Sequence, residues 1–217
     1  MPNWCNNNIT ISGDEGTIRT LTAVLKNLKS NNEERGNDVF KALIGLPPHM
    51  TDGDYNEKWY DTNIEWFGTK WDISYEESAF NFTKDEISFS CETAWSPPIQ
   101  FIQNLCEMYK VNANLFYSEG GIGFAGETTF TWVDGELDVY DDECGYLEGI
   151  YKYSKEDFWG EVEFGTDSII DEDQSLEDFL SEFQFVSHED KKELTRLYNE
   201  TIKRNEEESE GEQDDLP

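Results

Sequence analysis

The stretch from Glu86 to Tyr109 constrains the fold most, because it encodes a strand and a helix joined by a short turn. Ile87, Phe89 and Cys91 alternate with polar residues, which is the pattern of a strand with one buried face. Ser96 is placed to cap a helix whose first turn holds two prolines, and apolar residues then recur every three or four positions. The stretch therefore predicts a strand that leads directly into a packed helix.

The flanking segments extend this order of elements. Residues 8–12 have the pattern of a strand, and a helix that Thr17 could cap follows them. Residues 51–63 are predicted to be irregular, 64–75 to end as a strand, and 111–118 to form another strand. The order β-α-β-β-α-β predicts an α+β, ferredoxin-like fold, in which two helices cover one face of an antiparallel sheet.

Beyond residue 120 the chain predicts further strands. Asp134-Gly135 is a dipeptide that suits a type I′ hairpin turn, and residues 127–133 and 136–140 flank it with strand patterns. Shorter strands are expected at 146–153 and 161–164. We therefore expect an acidic, β-rich extension of the core.

The C-terminal part predicts helices and then a disordered tail. Ser175 and Ser187 each precede an acid by three residues, as in a helix cap, and an apolar stripe follows each of them. The end of the chain is acidic and poor in apolar residues. The predicted organisation is a ferredoxin-like domain at 1–135, an acidic β/α extension packed on it at 136–205, and a disordered acidic tail at 206–217.

Charge excludes several classes of function. The formal net charge is −32, with 17 acids and 9 bases before Val111 and 31 acids and 7 bases from there onward. Such a chain repels nucleic acid and anionic lipid and attracts basic surfaces. Direct binding to DNA or RNA is therefore not expected, and no segment is apolar enough to span a membrane.

The sequence also offers few residues for a metal site or for a site based on cysteine thiols. The four cysteines show no CxxC spacing, and only two isolated histidines occur, so neither a zinc site nor a disulfide framework is predicted. The acids after Asp134 do not follow the spacing of a calcium-binding loop. No signal peptide opens the chain, so we expect a reduced, cytoplasmic protein with no metal or other cofactor.

Several short motifs, taken together and in order, resemble the YubB-type ferredoxin-like domain family of plasmid and bacteriophage proteins. The resemblance covers roughly residues 1–135 and implies a ferredoxin-like fold and an origin on a mobile element, without an established activity. The residues that carry it are Met1-Pro2-Asn3-Trp4-Cys5, Asn8-Ile9-Thr10, Trp66-Phe67-Gly68-Thr69-Lys70-Trp71-Asp72, Thr93-Ala94-Trp95-Ser96-Pro97-Pro98, Tyr117-Ser118-Glu119-Gly120 and Phe124-Ala125-Gly126.

The acids after Asp134 form the first candidate site. Alternate residues of a strand lie about 6.6 Å apart on one face, close to the spacing of phosphates along a nucleic-acid strand. A row of such carboxylates could imitate DNA and occupy a basic groove; alternatively, it could be only a solvated face. The candidate contact residues are Asp134, Glu136, Asp138, Asp141, Asp142, Glu143, Glu161, Glu163, Asp171, Glu172 and Asp173.

A second candidate site is the tryptophan-rich segment around Gly68-Thr69-Lys70. Trp66, Lys70, Trp71 and Trp95 could hold a small ligand or a peptide, with the acids serving only solubility. Tryptophans are more often core residues than a ligand platform, so Trp4, Trp66, Trp71 and Trp95 are expected to be core residues. An enzyme that uses a pair of carboxylates is a third hypothesis, but the sequence does not single out a pair.

The leading hypothesis is a non-enzymatic inhibitor encoded by a phage or plasmid. It would act as a DNA mimic on a basic host protein of defence, such as a CRISPR effector, a restriction enzyme or a related nuclease. This hypothesis depends on the carboxylates lying together on one rigid face. The sequence predicts no oligomeric state.

Overall fold

The computed structural model describes residues 3–28, 38–170 and 174–214, with side chains at all of these positions except 164–169, 206 and 208–214. The chain divides into two compact units, Met1–Tyr146 and Leu147–Pro217. No helix in the described ranges is both long enough and apolar enough to cross a membrane.

The first unit contains one six-stranded antiparallel sheet with the strand order β2-β3-β1-β4-β5-β6. The first strand lies between the third and the fourth, which confirms the predicted ferredoxin-like arrangement. The strands are β1 (Trp4–Ser12), β2 (Phe80–Phe82), β3 (Glu86–Ala94), β4 (Asn112–Glu119), β5 (Phe124–Val133) and β6 (Glu136–Gly145).

Four α-helices accompany this sheet in the described part of the first unit. They are α1 (Glu15–Leu28), α2 (Val39–Ile44), α3 (Asp52–Phe67) and α4 (Ile99–Tyr109), and a 3₁₀ turn spans Glu77–Ala79. Buried side chains of α1, α2 and α4 form one core with the odd-numbered residues of β1 and β3, such as Ile9 and Ile87. Because side chains alternate along a strand, the even-numbered residues of these strands face away from that core.

Residues 51–63 are helical, which corrects the expectation of an irregular segment. Thr51 and Asp54 form a reciprocal capping box, in which each side chain accepts a hydrogen bond from the other residue's backbone N–H. This satisfies two donors at the start of α3. The second strand is correspondingly later than expected, at Phe80–Phe82, and Ser74 makes only an isolated bridge to Asp38.

The caps of α1 and α4 also differ from the predictions. Asp14, rather than Thr17, accepts hydrogen bonds from the first N–H groups of α1. Ser96 does not cap α4, because its hydroxyl donates to the carbonyl of Gly68 and the helix begins only at Ile99.

The β5–β6 hairpin has the predicted turn. Asp134 and Gly135 have φ values of 53° and 89°, the positive angles that a type I′ turn requires at both central positions. β6 pairs along its whole length with β5, from Glu136 to Gly145. The first unit therefore ends at Tyr146 rather than at residue 135, since the acidic strand belongs to the sheet.

The second unit is helical where it is described. Its helices are α5 (Tyr146–Tyr153, which begins at the boundary), α6 (Lys155–Ile169), α7 (Leu176–Glu182) and α8 (Asp190–Asp214). The strands expected at 146–153 and 161–164 are thus corrected to helices. Phe158 and Val162, four residues apart, are both fully buried, and this helical period outweighs the short alternation of acids.

The predicted caps in the second unit are confirmed, whereas the predicted tail is not. The hydroxyls of Ser175 and Ser187 accept hydrogen bonds from the N–H groups of Asp178 and Asp190. The disordered tail was expected from residue 206, but α8 continues to Asp214.

Candidate binding surfaces

The acidic strand does not present its carboxylates on one face. Thr128, which is paired with Asp141, faces the core. The alternation along β6 therefore places Asp141 and Glu143 on the core side and Glu136 and Asp138 on the opposite side. The predicted row of acids is split between the two faces of the sheet.

Asp141 is part of the internal hydrogen bonding of the sheet. Its Oδ1 atom accepts hydrogen bonds from the Tyr117 hydroxyl at 3.1 Å and from the Thr128 hydroxyl at 2.5 Å. Thr128 is fully buried, so this carboxylate satisfies a hydroxyl that water does not reach. Burial, followed by the negative charge of Asp141, raises the pKa of Tyr117. Asp141 therefore has a structural role.

The remaining predicted acids lie in other places. Asp134 occupies the hairpin turn, whereas Glu161 and Glu163 lie on α6 in the second unit. Residues 171–173, which hold Asp171, Glu172 and Asp173, lie outside the described residues. The structure thus groups only part of the predicted set on one surface.

The face of the sheet opposite the core carries charge of one sign. We call this surface, made by the even-numbered residues of β1, β3, β4 and β6 and the odd-numbered residues of β5, the open face. It presents amide and hydroxyl side chains, such as Asn6, Asn8 and Ser90, and it contains no Lys or Arg among the described strand residues. Its acids are Glu86, Glu92, Glu127, Glu136, Asp138 and Asp142.

Two of these acids are direct cross-strand neighbours. Glu127 of β5 is paired with Asp142 of β6, and both side chains lie on the open face. Like charges placed directly opposite each other destabilise an antiparallel pair. Glu127 also accepts a hydrogen bond from Asn114 Nδ2 at 2.6 Å, which fixes its position.

The tryptophan region is partly assembled as predicted. The Lys70 ammonium lies 4.4 Å from the centre of the Trp71 ring and 4.5 Å from that of the Trp95 ring. Trp66 is not part of this group, because it packs against the core and its Nε1–H donates to the carbonyl of Gly45. Three of the four predicted residues therefore come together.

Trp4 joins the group, although it was not among the predicted residues. Its ring centre lies 6.1 Å from that of Trp71. Trp4, Trp71 and Trp95 are 46%, 38% and 38% exposed, which corrects the expectation of core tryptophans. Trp4 stands on the open-face side of a strand whose odd residues are buried, and this alternation was the available sequence signal.

A cavity of ≈ 380 Å³ borders these rings, within the size range of ligand pockets. One wall is the segment 71–76, and the other is the end of β3 from Ser90 to Ala94. Its lining includes Trp4 and Trp71 and the acidic residues Asp72, Glu76 and Glu92, but no Lys or Arg. We call this cavity the β3 groove.

Asp72, in the wall of the β3 groove, stabilises the start of α2. Its carboxylate accepts hydrogen bonds from the backbone N–H groups of Phe40 and Lys41, both at 2.8 Å. Burial raises the pKa of Asp72 to about 7, although these N–H groups favour the charged form. Asp38, the residue before α2, makes no side-chain cap of its own, so Asp72 supplies the missing acceptors.

The described residues offer little for covalent or metal-based catalysis. Burial raises the pKa of the Cys5, Cys91 and Cys106 thiols to about 12, so these thiols are protonated at neutral pH and are poor nucleophiles. Over the same part of the chain, no three His, Cys, Asp or Glu side chains come together as a metal site would require.

Comparison with known proteins relates this fold to one family. No curated protein matches the sequence. A solved structure, that of the protein api92 from Yersinia pseudotuberculosis, aligns with a TM-score of 0.36 and 9% identity over 67% of this chain and 99% of the other. Residues 70–195, more than half of the chain, match the family described as the ferredoxin-like domain in Api92-like protein. The chain therefore belongs to this Api92-like ferredoxin-like domain family.

Proposed function

We propose that this protein is a non-enzymatic inhibitor that binds a basic, nucleic-acid-binding host protein through the open face of its sheet. The observation that carries the proposal is the charge of that face, where three strands, β3, β5 and β6, contribute six carboxylates and the described strand residues contribute no base. The partner would be a defence protein, such as a CRISPR effector, a restriction enzyme or a related nuclease. The protein would act as a DNA mimic, and the resemblance to YubB-type domains supports a phage or plasmid origin.

The placement of the carboxylates supports this proposal in a narrower form than the sequence suggested. Glu136 and Asp138 are exposed and lie two residues apart on one face, and Glu127 and Asp142 extend the charge across the neighbouring strand. A face of one sign attracts a basic partner over a long range and repels anionic competitors.

The open face can be tested by neutralising it. The variant Glu136→Gln/Asp138→Asn/Asp142→Asn removes three charges from β6. A matched control, Glu57→Gln/Asp61→Asn/Glu65→Gln, removes three exposed charges from α3.

Each protein is immobilised, incubated with bacterial extract at low salt, and then washed with duplex DNA. We expect the wild-type and control proteins to retain host proteins that DNA releases, and the open-face variant to lose them. Retention by the open-face variant, or retained proteins that DNA does not displace, would contradict the proposal.

A second candidate function is peptide binding in the tryptophan region. The geometry that favours it is the β3 groove beside Trp4 and Trp71, and the exposure of both rings. The ammonium of Lys70 already lies 4.4 Å and 4.5 Å from the centres of two rings of its own chain, those of Trp71 and Trp95. The groove is better suited to a cation.

A further inference from the structure

We propose that the β3 groove binds an extended, arginine- or lysine-containing segment of a partner protein, which adds as a short strand to the edge of β3. This inference rests on the second candidate function, peptide binding in the β3 groove, and specifies its ligand; it does not depend on the acids of β6 or on the proposed inhibitor role. An incomplete sheet edge, an aromatic rim and a set of acidic residues meet at this groove.

The edge of β3 is open beside the groove. β3 pairs with β1 along its whole length, but on the other side β2 pairs only with Ile87, Ser88 and Phe89. Within the described residues, Ser90–Ala94 thus have a strand partner on one side only. An unpaired edge of this kind is a template for an additional strand.

The direction of the backbone groups follows from two hydrogen bonds of β3. The carbonyl of Glu86 accepts from the N–H of Thr83 on the β2 side, and the carbonyl of Cys91 accepts from Asn7 Nδ2 on the β1 side. Successive residues of an antiparallel strand direct their N–H and C=O groups to opposite sides. The even-numbered residues of β3 therefore direct theirs to the β2 side. The Phe80–Phe89 pair places the Ser90 N–H opposite the carbonyl of Ala79, so the groups that face the groove are the Ser90 carbonyl and both backbone groups of Glu92.

The ends of the groove limit the length of the segment. At one end, the Thr69 hydroxyl donates to the carbonyl of Ala94, which occupies the last acceptor of the strand. At the other end stands Phe80, the first residue of β2. Three residues of an extended chain, about 10 Å long, would span the free edge between them.

The side chains around the groove select what such a segment carries. Residues placed beside Ser90 and Glu92 would lie on the open face, next to a carboxylate and near the ring of Trp4. A cation there pairs with Glu92 across the strands and with the indole face. The residue between them would point toward Ile73, Ala79 and Phe80. The expected pattern is basic–apolar–basic.

The alternative occupant, a second copy of this chain, is disfavoured by charge. Edge-to-edge pairing of two β3 strands would bring Glu92 and Glu76 of both copies together, in a chain whose net charge is −32. Like charges oppose such a pairing.

The test uses the full-length protein and a capped hexapeptide, acetyl-Gly-Arg-Val-Arg-Val-Gly-amide. Binding is measured by tryptophan fluorescence and by amide NMR shifts. We expect saturable binding that shifts the amides of Ser90 and Glu92. A peptide with both arginines replaced by glutamate, and one N-methylated at the central backbone nitrogens, should each bind at least about tenfold more weakly.

Two protein variants locate the site. Glu92→Gln should weaken peptide binding by about two- to fivefold, the range expected for one cross-strand charge pair. Its matched control, Glu86→Gln, lies on the same strand and face but outside the groove, and should bind normally. Glu92→Pro removes the carboxylate and also an N–H that faces the groove while leaving the bonds to β1, and should weaken binding more than Glu92→Gln does.

Three results would overturn the proposal. They are the absence of peptide binding at millimolar concentration, equal binding of the N-methylated peptide, and equal losses in Glu92→Gln and Glu86→Gln. Concentration-dependent dimerisation that Glu92→Pro abolishes would assign the edge to a second copy instead. None of these results bears on the β6 acids, so failure here leaves the inhibitor proposal to its own test.

Discussion

The ammonium group of Lys70 lies 4.5 Å from the centre of the Trp95 ring, and the Trp95 backbone has a φ of 71°. A non-glycine residue in this left-handed region costs about 1–2 kcal/mol. The interaction of a cation with the face of an exposed ring stabilises the folded state by about 0.5–1 kcal/mol. Trp95 is thus held in a strained conformation at the surface, as residues at binding sites often are.

The strain at Trp95 can be separated from its side-chain contacts with two variants. Trp95→Ala and Trp95→Gly both remove the indole, but only glycine adopts a φ of 71° without steric cost. We expect Trp95→Gly to be about 1 kcal/mol more stable than Trp95→Ala in urea unfolding. Equal stability, or a more stable alanine variant, would contradict the strain.

Neutralising the two faces of β6 should have different effects on stability. Asp141→Ala leaves the buried Thr128 hydroxyl and the Tyr117 hydroxyl without their acceptor, so we expect a loss of about 1–3 kcal/mol. Asp138→Ala, on the exposed open face, should change stability by less than about 0.5 kcal/mol. Urea unfolding measures both, and similar values for the two variants would refute the structural role of Asp141.

Asp72 should make stability depend on pH between about 4 and 7. Its pKa is raised by burial to about 7 in the folded protein, compared with about 3.9 in the unfolded chain. Between these two values the folded protein binds a proton at Asp72 that the unfolded chain has released. The contribution of Asp72 to stability is therefore complete below about pH 4 and is lost as the pH rises through about 7.

Repulsion among the many carboxylates of the chain also lowers stability as the pH rises. The contribution of Asp72 is therefore measured by comparing the wild type with the variant Asp72→Asn. The free energy of unfolding of the wild type should fall more steeply from pH 5 to pH 8 than that of the variant. The difference is at most about 1.4 kcal/mol per pH unit. Parallel pH profiles would show that Asp72 titrates normally.

Asp190 should have the opposite pH dependence in the second unit. Its carboxylate accepts hydrogen bonds from Lys155, Ser187 and Tyr151, which lower its pKa to about 2. The stabilisation is therefore present above pH 4 and is lost as the pH falls through about 2.

Replacing Asp190 tests its role at neutral pH. Asp190→Ala should destabilise the second unit by about 1.5–3 kcal/mol, as expected for charged hydrogen bonds. The neighbouring Glu189→Gln, at an exposed position, is the control and should have little effect. Hydrogen exchange of the α5 and α8 amides reports this unit separately, and unchanged protection in Asp190→Ala would contradict the prediction.

Local patterns in the sequence determined much of the first unit and two helix caps of the second unit. The alternation at Ile87 and Phe89 marked β3, the Asp134-Gly135 dipeptide marked the hairpin, and Ser175 and Ser187 marked two helix caps. In each case the deciding interactions lie within a few residues along the chain. The βαββαβ order then limits how these elements can assemble.

The sequence did not predict the secondary structure of short acidic segments correctly, because an alternation over three residues does not distinguish a strand from a helix. At 161–164 the burial of Phe158 and Val162 decides for a helix, and this burial depends on the packing of the second unit. At the start of α3, Thr51 and Asp54 stand at the three-residue spacing of a capping box, and this cap makes the segment helical rather than irregular.

Only the tertiary structure decided which residues share a surface. The strand register sends Asp141 toward Tyr117 and Asp138 to the open face, although the two acids are three residues apart in sequence. The β3 groove exists because β2 begins only at Phe80, opposite Phe89, and leaves the end of β3 without a second neighbouring strand. No local sequence pattern indicates this. Composition determined that the protein is strongly negative, whereas strand pairing determined where that charge can meet a partner, since pairing alone sets the face and the edge on which each side chain lies.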